Sequence, residues 1–213
     1  MQAINGNFYG TTSVGGTNGE GVIFEITGSG SLTTLYNFCS QTASDDGEYP
    51  EAELVQATNG NLYGTTYYGG TNGAGTAFEF TIAGILTTLH SFDSDEGVNP
   101  YGGLVQATNG AFYGTTTQGG ATNDGTVFSL SVGLGSFVET NPISGTVGIK
   151  LTILGSNLAG ATSVTFNGTE ATFKASRTHT TSTVPTGATT GTVKVVTPKK
   201  TLKSNVPFRV RQQ

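Results

Sequence analysis

The tetrapeptide Tyr-Gly-Thr-Thr occurs three times, at 9–12, 63–66 and 113–116, with spacings of 54 and 50 residues. Around each copy the resemblance is wider. "LVQATNGNLYGTT" (54–66) is matched by "LVQATNGAFYGTT" (104–116) and by "MQAINGNFYGTT" (1–12). A phenylalanine follows each tyrosine by 15 residues, as Phe24, Phe78 and Phe128. A period near fifty residues restricts the chain to an array of similar units, each burying its apolar face against the next.

Within a unit the pattern changes four times. "LVQA" runs into Asn-Gly, expected to form a tight two-residue turn, and "LYGTT" returns. A glycine-rich stretch, "GGTNGAG", follows, which no helix could hold. "TAFEFT" and "LTTLHSF" then alternate apolar and polar residues, as half-buried strands do. Four short antiparallel strands per unit predict an all-β fold and three propeller blades, about 1–42, 43–92 and 93–138. A parallel β-helix needs shorter coils and ranks below. The glycine of each Tyr-Gly-Thr-Thr is expected to let a neighbouring blade's backbone come close. No window carries helical apolar spacing, and no apolar run is long enough for a membrane helix.

Charge divides the chain. Residues 1–138 hold twelve carboxylates and no Lys or Arg, whereas residues 139–213 hold nine Lys and Arg against Glu139 and Glu170. Two modules follow, with a boundary near Val138. In the second, "KLTILG", "SVTFNG", "EATFKAS", "TTSTVP", "TVKVVT" and "VPFRV" are short extended segments separated by Gly, Asn or Pro, predicting a small β-sandwich over 139–213.

The pattern Asp-Gly…Pro…Leu-Val-Gln…Asn-Gly-x-φ-Tyr-Gly-Thr-Thr…Gly-Gly…Gly…Phe resembles the GloVer-type glycine-rich repeats (Gloeo/Verruco) of bacterial surface proteins, over residues 1 to about 138. That resemblance implies a propeller-like fold, an extracellular or cell-surface location and no defined catalytic residues. Pro142, Gly145, Gly148, Gly155, Asn157, Leu158, Gly160, Phe166, Gly168, Pro185 and Gly187 resemble an IPT/TIG domain. This implies an immunoglobulin-like sandwich in which the asparagine and glycines shape loops. Three blades cannot close a ring, and their end edges are aggregation liabilities. The expectation is therefore the C-terminal part of a longer exported protein, with further blades or other chains covering those edges.

Chemical signals are sparse. Asp93, Asp95 and Glu96, closing on Gly97, are a weak calcium candidate. Leu104 stands where an EF-hand loop needs its last acid, and a solvated turn between repeats is the plainer reading. Otherwise no cofactor is indicated. His90 occupies the strand position of Tyr36, and the single cysteine, Cys39, lacks a patterned His or Asn. No nucleophile elbow, phosphate loop, HExxH or CxxC pair is present. "PKKTLK" (198–203) with Arg177, Arg209 and Arg211 forms a mild basic cluster without interleaved aromatics, so nucleic acid is a poor partner. The favoured function is a non-enzymatic binding, adhesion or spacer module for a glycan or protein ligand. The alternatives are part of a propeller lyase or hydrolase, and a purely structural assembly unit.

Overall fold

The computed structural model describes residues 1–212. Those residues form strands and turns with no α-helix, the only helical piece being a 3-10 turn at Thr42–Ser44. The chain falls into two compact units, Met1–Gln106 with Phe112–Ser131, and Ala107–Ala111 with Val132 onward.

In the first unit, repeat 1 supplies β1 (Phe8–Thr12), β2 (Val22–Ile26) and β3 (Leu32–Asn37). Repeat 2 supplies β4 (Val55–Gln56), β5 (Leu62–Thr66), β6 (Thr76–Phe80) and β7 (Leu86–Ser91). The order β4-β5-β6-β7 is a four-stranded antiparallel meander, and repeat 1 is its three-stranded counterpart, opened by a Gln2–Phe8 bridge. Repeat 3 differs. It has β8 (Val98–Pro100), β9 (Val105–Gln106), β10 (Phe112–Gln118) and β11 (Val127–Leu130), and among the described residues no strand pairs with the outer edge of β11. The "LTTL" segment that builds β3 and β7 is missing from the sequence after β11.

Two local expectations need correction. The Asn-Gly turns are three-residue loops: Ala57 N–H donates to Asn61 O, Gly60 N–H donates to Ala57 O, and only the glycine is left-handed, with φ +87°. This is a type I turn closed by a glycine bulge. It keeps Asn59 in an ordinary conformation, and Asn59 Oδ1 accepts from Asn61 N–H at 3.1 Å. The strand glycine also has a different reason. Gly10, Gly64 and Gly114 pair directly with Phe24, Phe78 and Phe128 on the next strand of the same repeat. A Cβ on Gly64 would stand 2.7 Å from Phe78 Cζ and 2.9 Å from Leu54 Cδ2. The phenylalanine ring lies over the glycine, filling the space a side chain would take and replacing its cross-strand contact.

Consecutive repeats share cores. Tyr9 and Ile23 of repeat 1 pack with Leu54, Leu62, Phe78, Phe80 and Leu86 of repeat 2, and Phe38 joins them. Ala77 and Phe92 of repeat 2 pack with Phe128 and Leu130 of repeat 3. β6 is therefore covered on both faces, which is why four of the five residues of "TAFEF", Thr76 included, are buried. Each fully buried phenylalanine contributes roughly 1.5–3 kcal/mol of transfer free energy. Glutamines lock the register. Gln56 Oε1 accepts from Ile4 N–H of repeat 1 at 2.8 Å, and Gln106 Oε1 accepts from Thr58 N–H of repeat 2 at 3.1 Å.

The second unit contains β12 (Val138–Asn141), β13 (Ser144–Gly145), β14 (Lys150–Gly155), β15 (Ser163–Phe166), β16 (Thr169–Glu170), β17 (Phe173–Ala175), β18 (His179–Thr183), β19 (Val193–Val196), β20 (Thr201–Lys203) and β21 (Arg209–Val210). Two antiparallel sheets, β12-β14-β18-β17 and β16-β15-β19-β20, are joined by the parallel pair β13-β21. Alternate residues Leu151, Ile153, Val164, Phe166, Val193 and Val195 turn into one core with Leu158, Leu202 and Phe208. The turn 107–111 belongs to this unit: Phe137 N–H donates to Thr108 O at 3.0 Å, and Thr108 Oγ1 lies 3.2 Å from Ser156 Oγ.

Candidate functional site

Residues that recur in every repeat build the frame, so a functional site is best sought where a repeat departs from it. Tyr67 and Tyr68 follow β5 at positions held by Ser13 and Val14 in repeat 1 and by Thr117 and Gln118 in repeat 3. Tyr49 aligns with Asn99, and Tyr101 aligns with Glu51. The frame does not require aromatics at these places. Nevertheless the four rings meet in the order Tyr49, Tyr68, Tyr67, Tyr101. Their centroids are 5.9, 4.7 and 6.1 Å apart, and successive rings are nearly perpendicular. Edge-to-face contact of this kind adds about 0.5–1.5 kcal/mol per pair beyond area burial.

Backbone bonds fix the strip. Glu48 and Tyr68 exchange both main-chain hydrogen bonds, at 2.9 and 3.1 Å. Tyr67 N–H donates to Tyr49 O, and Tyr49 N–H donates to Glu20 O. Asn99 Nδ2 donates to Tyr67 O at 2.8 Å. Gly69 is required here: a Cβ on it would stand 2.7 Å from the Gly47 backbone. Tyr68 and Tyr101 remain 45% and 58% exposed, so their rings face solvent. A hydrogen bond to Glu20 and its negative charge push the Tyr49 hydroxyl above its ordinary pKa. Glu20 Oε2 is buried without a hydrogen-bond donor, a cost of about 1–3 kcal/mol concentrated beside the strip. Flat aromatic bodies with hydroxyl tips, next to carboxylates, match molecules that are apolar on a face and polar around the rim.

The two acids on the strands of repeats 1 and 2 are occupied. Glu25 accepts from Tyr9 Oη at 2.5 Å and Asn7 Nδ2 at 2.7 Å, and these two bonds hold it below the usual carboxylate range. In repeat 2, Glu79 accepts from Tyr63 Oη at 2.7 Å and Asn61 Nδ2 at 2.6 Å. Burial opposes ionisation of Glu79, but the Asn61, Tyr63 and Asn59 bonds outweigh it and its pKa falls. Burial, reinforced by the bond to Glu79, pushes Tyr63 to about 12. In repeat 3 the corresponding residues are Ala111 and Ser129.

The connecting loops use carboxylates in the same way. Asp46 is fully buried and accepts from Tyr36 Oη at 2.8 Å, from Ser40 N–H at 2.9 Å and from Gln41 N–H at 3.2 Å. One repeat later His90 Nε2 lies 2.7 Å from Glu96 Oε2. Asp93 Oδ1 accepts from the N–H groups of Asp95 and Glu96, forming a capped turn. Asp93, Asp95 and Glu96 thus do not converge, and among the described residues no group of three or more His, Cys, Asp or Glu side chains is placed to hold a metal ion. Cys39 Sγ lies 2.7 Å from Ser44 Oγ. The basic residues are dispersed: Arg177 and Lys199 line one shallow cleft, Lys200 donates to Ser136, and Arg211 donates to Ser144.

A second feature lies where repeats 2 and 3 meet. Ala77, Phe92, Phe128 and Leu130, with the polar His90, Glu96 and Ser129, line a cleft of about 260 Å³.

Stacked antiparallel meanders with shared cores define an all-β repeat protein. The chain belongs to the Gloeobacter/Verrucomicrobia repeat family, whose model matches residues 1–185 and so runs past the third repeat into the second unit. No curated protein matches the chain. No helix among the described residues is long and apolar enough to cross a membrane.

Proposed function

We propose that this chain is a non-enzymatic binding module of an exported or cell-surface bacterial protein, and that its ligand is a glycan. The carrying observation is the convergence of Tyr49, Tyr67, Tyr68 and Tyr101 on one exposed strip although the repeat frame demands none of them. A pyranose ring would lay its C–H face on Tyr68 or Tyr101 and offer hydroxyls to the tyrosine tips and to Glu48. The four-stranded meander supports reading the repeats as blades of a propeller sector. Two four-stranded sheets around one core support reading the second unit as an immunoglobulin-like sandwich of the IPT/TIG type, acting as a spacer. No cofactor enters this reading, and nucleic acid is not its partner.

A glycan array probed with the intact chain, and repeated with a Tyr68→Ala/Tyr101→Ala variant, tests it. The expected result is a defined set of bound glycans whose signal falls at least about tenfold in the variant, the equivalent of roughly 1.4 kcal/mol. No bound glycan, or equal binding by a folded variant, overturns it.

Assembly of repeats from several chains is a second reading, favoured by two exposed faces. Val127 is 79% exposed where its counterpart Ile23 is fully buried, and Leu32 is 66% exposed where its counterpart Leu86 is buried. Light scattering against concentration tests this: growth in mass supports assembly, and a constant monomer mass removes it.

A further inference from the structure

Repeats 1 and 2 each end in a strand of Leu-Thr-Thr-Leu type, β3 or β7, laid against β2 or β6. Repeat 3 has no such strand, and among the described residues its β11 pairs only with β10. The consequence is visible in the core. Between repeats 1 and 2, Leu86 of β7, whose backbone pairs with Phe80, is buried with Tyr9, Ile23, Phe38 and Phe78. Between repeats 2 and 3 the position of Leu86 is unfilled. Ala77 stands for Ile23, Leu130 for Phe80 and His90 for Tyr36, each smaller than its counterpart. The cleft lined by Ala77, Phe92, Phe128 and Leu130 lies where these three reductions and the missing leucine coincide.

We infer that the free edge of β11 with this cleft is a docking site for an extended segment of a separate chain, carrying the Leu-Thr-Thr-Leu alternation and adding antiparallel to β11. The sister repeats identify the occupant, because the segment covering the same edge there has this sequence twice. Main-chain hydrogen bonds along β11 would supply pairing, and a leucine opposite Leu130 would supply selection by entering the cleft, as in strand addition generally. The segment's first threonine would turn to the opposite face, as exposed Thr87 does beside buried Leu86. This inference is independent of the glycan reading, since none of the strip tyrosines lines the cleft.

The test uses the intact chain and a fluorescent peptide with the sequence of residues 84–92, GILTTLHSF. Anisotropy titration is expected to give saturable binding. The same peptide carrying Leu86→Lys is expected to bind at least about tenfold more weakly. A Leu130→Lys protein that keeps its far-ultraviolet spectrum is expected to lose the peptide as well. Absence of saturable binding overturns the inference, and so does equal binding of the two peptides, a result that does not depend on any protein variant folding. If the unlabelled chain instead self-associates and Leu130→Lys abolishes that association while the peptide fails to compete, the occupant is a second copy and the inference is wrong.

Discussion

The two junctions between repeats are built on one frame and filled differently. Both use the glycine–phenylalanine pair, a glutamine reaching back to the preceding turn, and a phenylalanine after or near the last strand, Phe38 or Phe92. The first junction seals with Ile23, Tyr36, Phe80 and Leu86. The second has Ala77, His90, Leu130 and no fourth strand, and a cleft remains. Backbone register and junction content are therefore separate properties. The frame is held by turns, glutamines and the Gly–Phe pair, which leaves side chains at the junctions and loop ends free to change.

The sharpest contrast is expected from truncating the equivalent phenylalanines. Phe78→Ala empties a fully buried site and should cost about 3–5 kcal/mol. Phe128→Ala, at a half-buried position beside the cleft, should cost less than half of that. Equal losses in denaturant titration would mean that the junctions are packed alike. A smaller effect is expected from Gly64→Ala, whose Cβ meets Phe78 and Leu54; overpacking of this kind costs about 1–3 kcal/mol. The same methyl at Gly28, which has open space around it and no left-handed φ, should leave the midpoint nearly unmoved.

The smallest effect concerns pH. Glu79 has a lowered pKa in the folded chain, so its contribution is fully present above the ordinary value of 4.5 and is lost as pH falls below it. Glu79→Gln should therefore cost about 1 kcal/mol near neutrality and flatten the acid limb of a stability–pH curve. Tyr63 shifts the opposite way. Its contribution is complete below pH 10 and is lost as pH rises toward about 12. Repeat 3 has Ser129 where repeats 1 and 2 have the glutamate.

Period and alternation made the all-β class, the three repeats and the strand segments of repeats 1 and 2 legible. The partner of the strand glycine was not legible, because a phenylalanine 14 residues later is brought opposite only by strand register. A Glu 16 residues after the tyrosine in repeats 1 and 2, Ser in repeat 3, was a readable signal of the buried polar cluster. The missing "LTTL" after β11 is likewise visible in the sequence, and its absence is why repeat 3 lacks the last strand expected of a full blade. Tyr49, Tyr67, Tyr68 and Tyr101 could not be grouped from sequence, since they span two repeats and share no spacing. The signal that finds them is their departure from the repeat consensus. For Asp93, Asp95 and Glu96, alternating acids in a loop carried no information about direction: one closes a turn and another faces His90.

Hydrogen exchange of individual amides tests most directly whether the repeats share a frame but differ in closure. The amides of β6, flanked by strands on both sides, should exchange only through global unfolding of the first unit. Those of β11 that face away from β10 should exchange on the order of a hundredfold faster. Equal protection of β6 and β11 would contradict an open third repeat.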